Sequence, residues 1–241
     1  MATVSGYHAA ETDVDPLDDG DHTVSTRITI DASCGCEHLE QRILRVGPGR
    51  SAPRVLADRH DLLYVAEGAG TLHLGGRQHR LEPDTGAFVA AGEEHAFAND
   101  GPDELVLISV RTPASPPDAA RRRVTVRYAD QEPLPASPNR EFRYLVNQDA
   151  GCLDATQFVG VIPTGRAGLH SHTYDEIVYV VAGEGVLHLD GRETPIGRGS
   201  CIHLPPLEEH CLENTGTEPM RVLGVFHPSG DPASRASEEA R

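Results

Sequence analysis

Apolar residues in this chain come in short runs. "ELVLISV" (104–110), "IVYVV" (177–181), "VLHLD" (186–190), "CIHLP" (201–205) and "MRVLGVF" (220–226) are alternating or β-branched stretches. Clusters of Gly, Pro, Asn and Asp separate such runs at intervals of about 8 to 12 residues, the spacing of an all-β sandwich or barrel. No long segment carries the 3.6-residue period of an amphipathic helix. The pattern predicts an all-β fold.

The runs also repeat. "LLYVAEGAGTLHLGG" (62–76) aligns without a gap on "IVYVVAGEGVLHLDG" (177–191), and "EEHAFANDG" (93–101) on "EEHCLENTG" (208–216). Both pairs share an offset of 115 residues, from Gly68 to Gly183 and from His95 to His210. A repeat of that length is a duplicated domain. The sequence predicts one copy over 25–115 and a second over 141–228, joined by a Pro-rich connection at 116–140 in which "VTVRYA" is a short strand candidate. The acidic segment 1–24 and the tail 229–241 lack apolar periodicity and are expected to be flexible.

Charge narrows the range of partners. The 241 residues carry 21 Lys and Arg against 37 Asp and Glu, a formal charge of −16. Such a surface repels phosphate backbones and anionic membranes, so nucleic acid and membrane are not expected partners. The start has no basic region followed by an apolar stretch, and no window approaches the roughly 20 apolar residues of a membrane span, so a cytoplasmic location is expected. Five cysteines, an odd number, fit reduced thiols better than a disulfide framework. The "CGC" at 34–36 lacks a second cysteine pair at zinc-site spacing, and Cys201 and Cys211 are expected to be small core residues.

The candidate chemistry lies in "LHSHTYDE", residues 169–176. On a strand, residues two apart share a face, so His170 and His172 project together, and Glu176 keeps the same parity beyond a short bend. His210 can join them from a neighbouring strand. Imidazoles with a carboxylate are the donors that borderline divalent metals take. Arg166, at the mouth, could meet an anionic substrate, Tyr174 could donate a proton, and His203 could line the pocket. A GxSxG elbow, a phosphate loop and a dinucleotide glycine motif are all absent.

These residues resemble the cupins, small jelly-roll barrels with one motif of the form G-x₅-H-x-H-x₃₋₄-E-x₆-G and another of the form G-x₅-P-x-G-x₂-H-x₃-N. Here Gly165, His170, His172, Glu176 and Gly183 follow the first, with the leading glycine one residue closer than usual; Gly199, Pro205, His210 and Asn214 follow the second, with "PPLEEH" replacing its proline–glycine turn. The resemblance implies two tandem cupin barrels and one divalent metal in the second, held by His170, His172, Glu176 and His210. Fe(II) is the expected ion, with Mn(II), Ni(II), Cu(II) and Zn(II) also compatible with this donor set. In the first copy Val55, Ala57, Asp61 and His95 occupy the corresponding positions, so that barrel is expected to hold no metal and to have a lumen filled more by apolar side chains, with His60 facing the other way. The resemblance further implies a metal-dependent enzyme acting on a small oxygenated metabolite, most readily of the dioxygenase type, with Glu176, Tyr174 and Arg166 as candidate catalytic residues. An isomerase, decarboxylase, hydrolase or non-catalytic binding protein is the alternative. A homodimer is the expected assembly.

Overall fold

A computed structural model describes residues 6–17, 20–137 and 139–235. Its elements are β-strands and four short 3₁₀ turns. Each half is a larger sheet facing a smaller one. In the first half, Val24–Ile30, Glu40–Val46, Leu105–Pro113, Arg59–Glu67, Thr85–Val89 and Thr125–Arg127 form the larger sheet in that spatial order, and Gly49–Arg50, His95–Asn99, Gly70–Leu74 and Arg77–Leu81 form the smaller. In the second, Leu134–Ser137, Arg140–Val146, Thr156–Ile162, Met220–His227, Asp175–Ala182, Ser200–Leu204 and Tyr7–Ala10 face Arg192–Gly197, Glu184–Leu189 and His210–Asn214. All named pairings are antiparallel.

Burial on both faces explains why the central strands read as continuous apolar runs. In Asp175–Ala182, Val178 and Val180 join the interior of the second barrel with Ile202, Leu204 and Val222, while Ile177 and Tyr179 point outward. Those outward residues meet Leu62, Tyr64, Phe88 and Ile108 of the first half in one buried cluster, so the barrels pack back to back through their larger sheets. Leu63, Val65, Leu72 and Phe97 fill the first barrel.

Two segments depart from the sequence reading. Residues 1–24 were expected to lie outside the core, yet Tyr7–Ala10 pairs with His203–Ser200 of the second barrel, and the Glu11 carboxylate, buried beside it, takes two hydrogen bonds from Arg45 at 2.5 and 3.0 Å. A four-residue strand, "YHAA", carries no legible period, and its partner lies nearly 200 residues away, so only tertiary pairing defines it. The connection at 116–140 likewise holds two strands. Thr125–Arg127 joins the first barrel and Leu134–Ser137 the second. The segment preceding each half thus adds an edge strand to the other half. Of the expected flexible tail, residues 229–235 are described and 236–241 lie outside the described residues; Asp231 and Ser234 bond to Tyr174. Residues 1–5 also lie outside.

The motif asparagines are structural clamps. Asn214, buried, donates to the carbonyls of Ile162 and Glu218 and accepts from the Gly216 amide; Asn99 does the same with Val46, Asp103 and Gly101. Alanine at either position leaves buried backbone groups unpaired, at a cost of about 2–4 kcal/mol. Urea unfolding of Asn99→Ala and Asn214→Ala is expected to show earlier midpoints by that amount; unchanged midpoints would contradict the clamp.

Candidate metal centre

Three segments of the second barrel converge on one point. His170 and His210 form an isolated antiparallel bridge, each amide donating to the other's carbonyl at 3.1 and 2.8 Å. His172 follows in a bend whose carbonyl accepts from Leu207 at 2.7 Å. Glu176 is the second residue of Asp175–Ala182, on the interior face with Val178. The ligand-type nitrogens of His170, His172 and His210 all lie within 4.8 Å of one another. Glu176 Oε2 stands 3.7 Å from His172 Nε2 and 3.8 Å from His210 Nε2.

Local hydrogen bonds aim the rings. His170 Nδ1 and His210 Nδ1 face the carbonyls of Gly168 and Glu208 at 3.4 and 2.9 Å. Each fixes its tautomer by donating there, which leaves Nε2 as the free electron pair. His172 Nδ1 lies 3.1 Å from the Tyr174 hydroxyl, and that hydroxyl also donates to the Asp231 carbonyl at 2.8 Å. Burial holds His170 below the usual histidine range and, with His170 beside it, pushes His210 down to about 3. Burial alone pushes Glu176 up to about 8. At neutral pH these groups are therefore uncharged, and neutral imidazole is the form that binds a metal.

The donor set fits a divalent ion. Glu176 Oε2 is a buried oxygen without a hydrogen-bond partner, and it faces the Nε2 atoms of His172 and His210. Such an orphan is costly in a protein interior unless a cation meets it.

A cavity of about 90 Å³ opens on these four side chains. Phe142, Phe158, Val178, Leu204 and Phe226 make most of its wall apolar, and Arg140 supplies a cation. Arg140 was missed in the sequence, because nothing in "PNREF" marks an arginine at the barrel mouth; its guanidinium is held by the Leu212 carbonyl at 2.7 Å. Arg166 is not in this cavity. It is exposed and lines an open groove with Leu169, His188 and Leu207 on the outside of the barrel. Tyr174 is buried behind His172, stacked on its ring, and positions that ring without lining the cavity. His203 points the other way, to Asp175 in the interface between the barrels. Tyr174→Phe removes the hydroxyl behind His172, and a tenfold to 100-fold weaker metal affinity is expected. Unchanged affinity in a metal titration would contradict the positioning role.

The corresponding place in the first barrel is built differently. Arg54, not Val55, makes the bridge to His95, so the register slips by one, and Val55 and Ala57 are exposed outside the lumen. The lumen there is packed with apolar side chains, among which Asp61 is buried and accepts from Ser109 Oγ at 2.6 Å. His60 faces away, toward the Asp154 carboxylate at 3.3 Å.

Comparison with known proteins agrees with this architecture. The profile described as Cupin domain matches residues 42–111 and 157–226, together more than half of the chain and at the same 115-residue offset. The chain belongs to the cupin family. It is a bicupin, one domain in each half. An oxalate-binding protein of Thermotoga maritima is 35% identical over 89 residues, covering 36% of this chain and 74% of that protein. An uncharacterized protein of Methanocaldococcus jannaschii is 34% identical over 70 residues, 28% of this chain and 56% of its own length. Among solved structures, protein Ylba of E. coli superposes with a TM-score of 0.79 at 12% identity, covering 92% of this cupin and 90% of that chain. An oxalate decarboxylase does so with a TM-score of 0.76 at 15% identity, covering 96% and 80%. At those identities the structures speak for the fold alone. No helix among the described residues is long and apolar enough to cross a membrane.

Proposed function

We propose that this bicupin is a metal-dependent enzyme acting on a small metabolite with adjacent oxygen atoms, and that His170, His172, Glu176 and His210 hold its one catalytic ion, Fe(II) by preference among Mn(II), Ni(II), Cu(II) and Zn(II). The supporting observation is the unpartnered Glu176 oxygen facing the rings of His172 and His210 across a small apolar cavity. When bound, the metal supplies a Lewis acid that orients and polarises a chelating oxygen ligand, and an iron ion adds access to oxygen chemistry. The protein's own residues do the rest. The cavity has the volume of about three water molecules, at roughly 30 Å³ each, so it selects a ligand about the size of oxalate or a short hydroxy acid. Arg140 pairs with the ligand's carboxylate end, and the phenylalanines exclude water, strengthening that pair. Glu176, whose burial favours the protonated form, can take or return a proton at the ligand.

The reaction we assign is of the dioxygenase type. It is tested by oxygen uptake of iron-loaded protein with a panel of diketones, catechols and hydroxy acids. Metal-dependent uptake with one of them supports it, and turnover without oxygen uptake replaces it with decarboxylation, isomerisation or hydrolysis. The T. maritima relative favours a second reading, binding of an oxalate-like dianion without turnover, which saturable calorimetric binding and no product would establish. Under either reading Arg140→Leu is expected to retain metal and bind the ligand about 10- to 100-fold more weakly, the worth of one charged hydrogen bond. A homodimer remains the expected assembly, and light scattering at twice 25.9 kDa checks it.

A further inference from the structure

A second group of ligand-type side chains lies between the barrels, away from the cavity. Cys36, Asp175 and His203 are all buried and place a sulfur, a carboxylate oxygen and an imidazole nitrogen within 4.8 Å of one another. They come from both halves. Cys36 precedes Glu40–Val46 of the first barrel; Asp175 and His203 sit on neighbouring strands of the second, on the face opposite Glu176. His38 joins them from the first half, its Nδ1 2.7 Å from Asp175 Oδ2, and its half-exposed side chain forms the solvent side of the group.

Two features set this group apart from an ordinary buried ion pair. His203 is fully buried, and while its Nε2 meets Asp175 Oδ1 at 3.1 Å, its Nδ1 has no hydrogen-bond partner. Burial pushes the Cys36 thiol up to about 12, only partly offset by the backbone of Leu39 and His38, so a bound metal would have to displace its proton. The duplication supplies an internal contrast, because the equivalent place in the other half keeps a buried thiol, Cys152, and a carboxylate–imidazole pair, Asp154 with His60, but carries Phe88 where His203 stands. The second imidazole is thus special to one side of a symmetric interface.

We propose that Cys36, His38, Asp175 and His203 form a second divalent-metal site, of the zinc class, that clasps the two barrels together. Thiolate, imidazole and carboxylate are the donors of tetrahedral zinc, which holds its ligand atoms about 3.5 Å from one another, inside the 4.8 Å that bounds the spacing here. The site is independent of the cavity chemistry. Its place on Asp175 ties it to the strand that carries Glu176.

The test uses full-length protein stripped with EDTA, in the His172→Ala, His210→Ala background that removes the cavity centre. Titration with Co(II) is expected to give one equivalent bound, with the intense near-ultraviolet band of a thiolate–cobalt bond, which histidines and carboxylates cannot produce. Cys36→Ser abolishes the band and Cys152→Ser leaves it. X-ray absorption at the zinc edge of the zinc-loaded background protein needs no cysteine variant, and a sulfur shell at about 2.3 Å is expected. A shell of nitrogen and oxygen only, or a cobalt band that survives Cys36→Ser, would overturn the proposal.

Discussion

Exchanging His172 and His210 together for alanine is expected to reduce the iron or manganese content of the protein to background. Both rings approach Glu176 Oε2, at 3.7 and 3.8 Å, so their loss leaves His170 and one carboxylate, too few donors for a stable site. An ion present at a thousand times its dissociation constant adds about 4 kcal/mol of stability. For a chain of this size that corresponds to roughly 10 °C in unfolding temperature. Manganese suits the reading, because its preference for oxygen and nitrogen leaves a thiolate-bearing site aside. Differential scanning with and without Mn(II) should show the shift in the wild type and none in the double variant. An equal shift in both would remove these histidines from the site.

The second large effect concerns Glu176 and has opposite signs in the two metal states. Without metal, burial raises its pKa to about 8, above the ordinary carboxylate value that it regains on unfolding. The folded state then binds more protons than the unfolded state between about pH 4.5 and 8, so the stability of metal-free protein falls as pH rises through that window, by up to about 1.4 kcal/mol per unit. Glu176→Gln keeps the shape and removes the ionisation. Metal-free Glu176→Gln is expected to be more stable than metal-free wild type at pH 7.5 by a few kcal/mol, and equal to it near pH 4.5. With metal the order reverses, because the amide is a poorer ligand. Urea unfolding of the two proteins at both pH values, with EDTA and with Mn(II), measures all four terms. A flat pH dependence of the metal-free wild type would show that water or a neighbouring group reaches the carboxylate.

Much of this was legible in the sequence because it is local. The duplication at 115 residues and the short apolar runs define two β-barrels, since each run is a strand and the central ones are buried on both faces. The four candidate ligands follow from the spacing around His170 and His210 that resembles the cupin motifs, although His170 and His172 stand in the segment before Asp175–Ala182 and not on a strand. What stayed hidden depends on contacts between distant segments. "YHAA" is a strand only because Ser200–Leu204 offers it an edge. The one-residue slip that puts Arg54 opposite His95 and turns Val55 outward cannot be read from an ungapped repeat. Arg140, not Arg166, lines the cavity because the turn at 163–168 runs outside the barrel while Arg140 opens a strand beside Thr156–Ile162 in the same sheet. The cysteine at 36 gains meaning only when the barrels pack and bring His203 to it.

The central claim is that the second barrel carries one catalytic ion between His170, His172, Glu176 and His210. Anomalous diffraction at the metal edge, from crystals of protein purified without chelator, tests it most directly. The account predicts a peak inside the second barrel at about 2.0 to 2.2 Å from the three imidazoles and the carboxylate. A map without a peak there, or with its peak beside His95 and Asp61 in the first barrel, would contradict it.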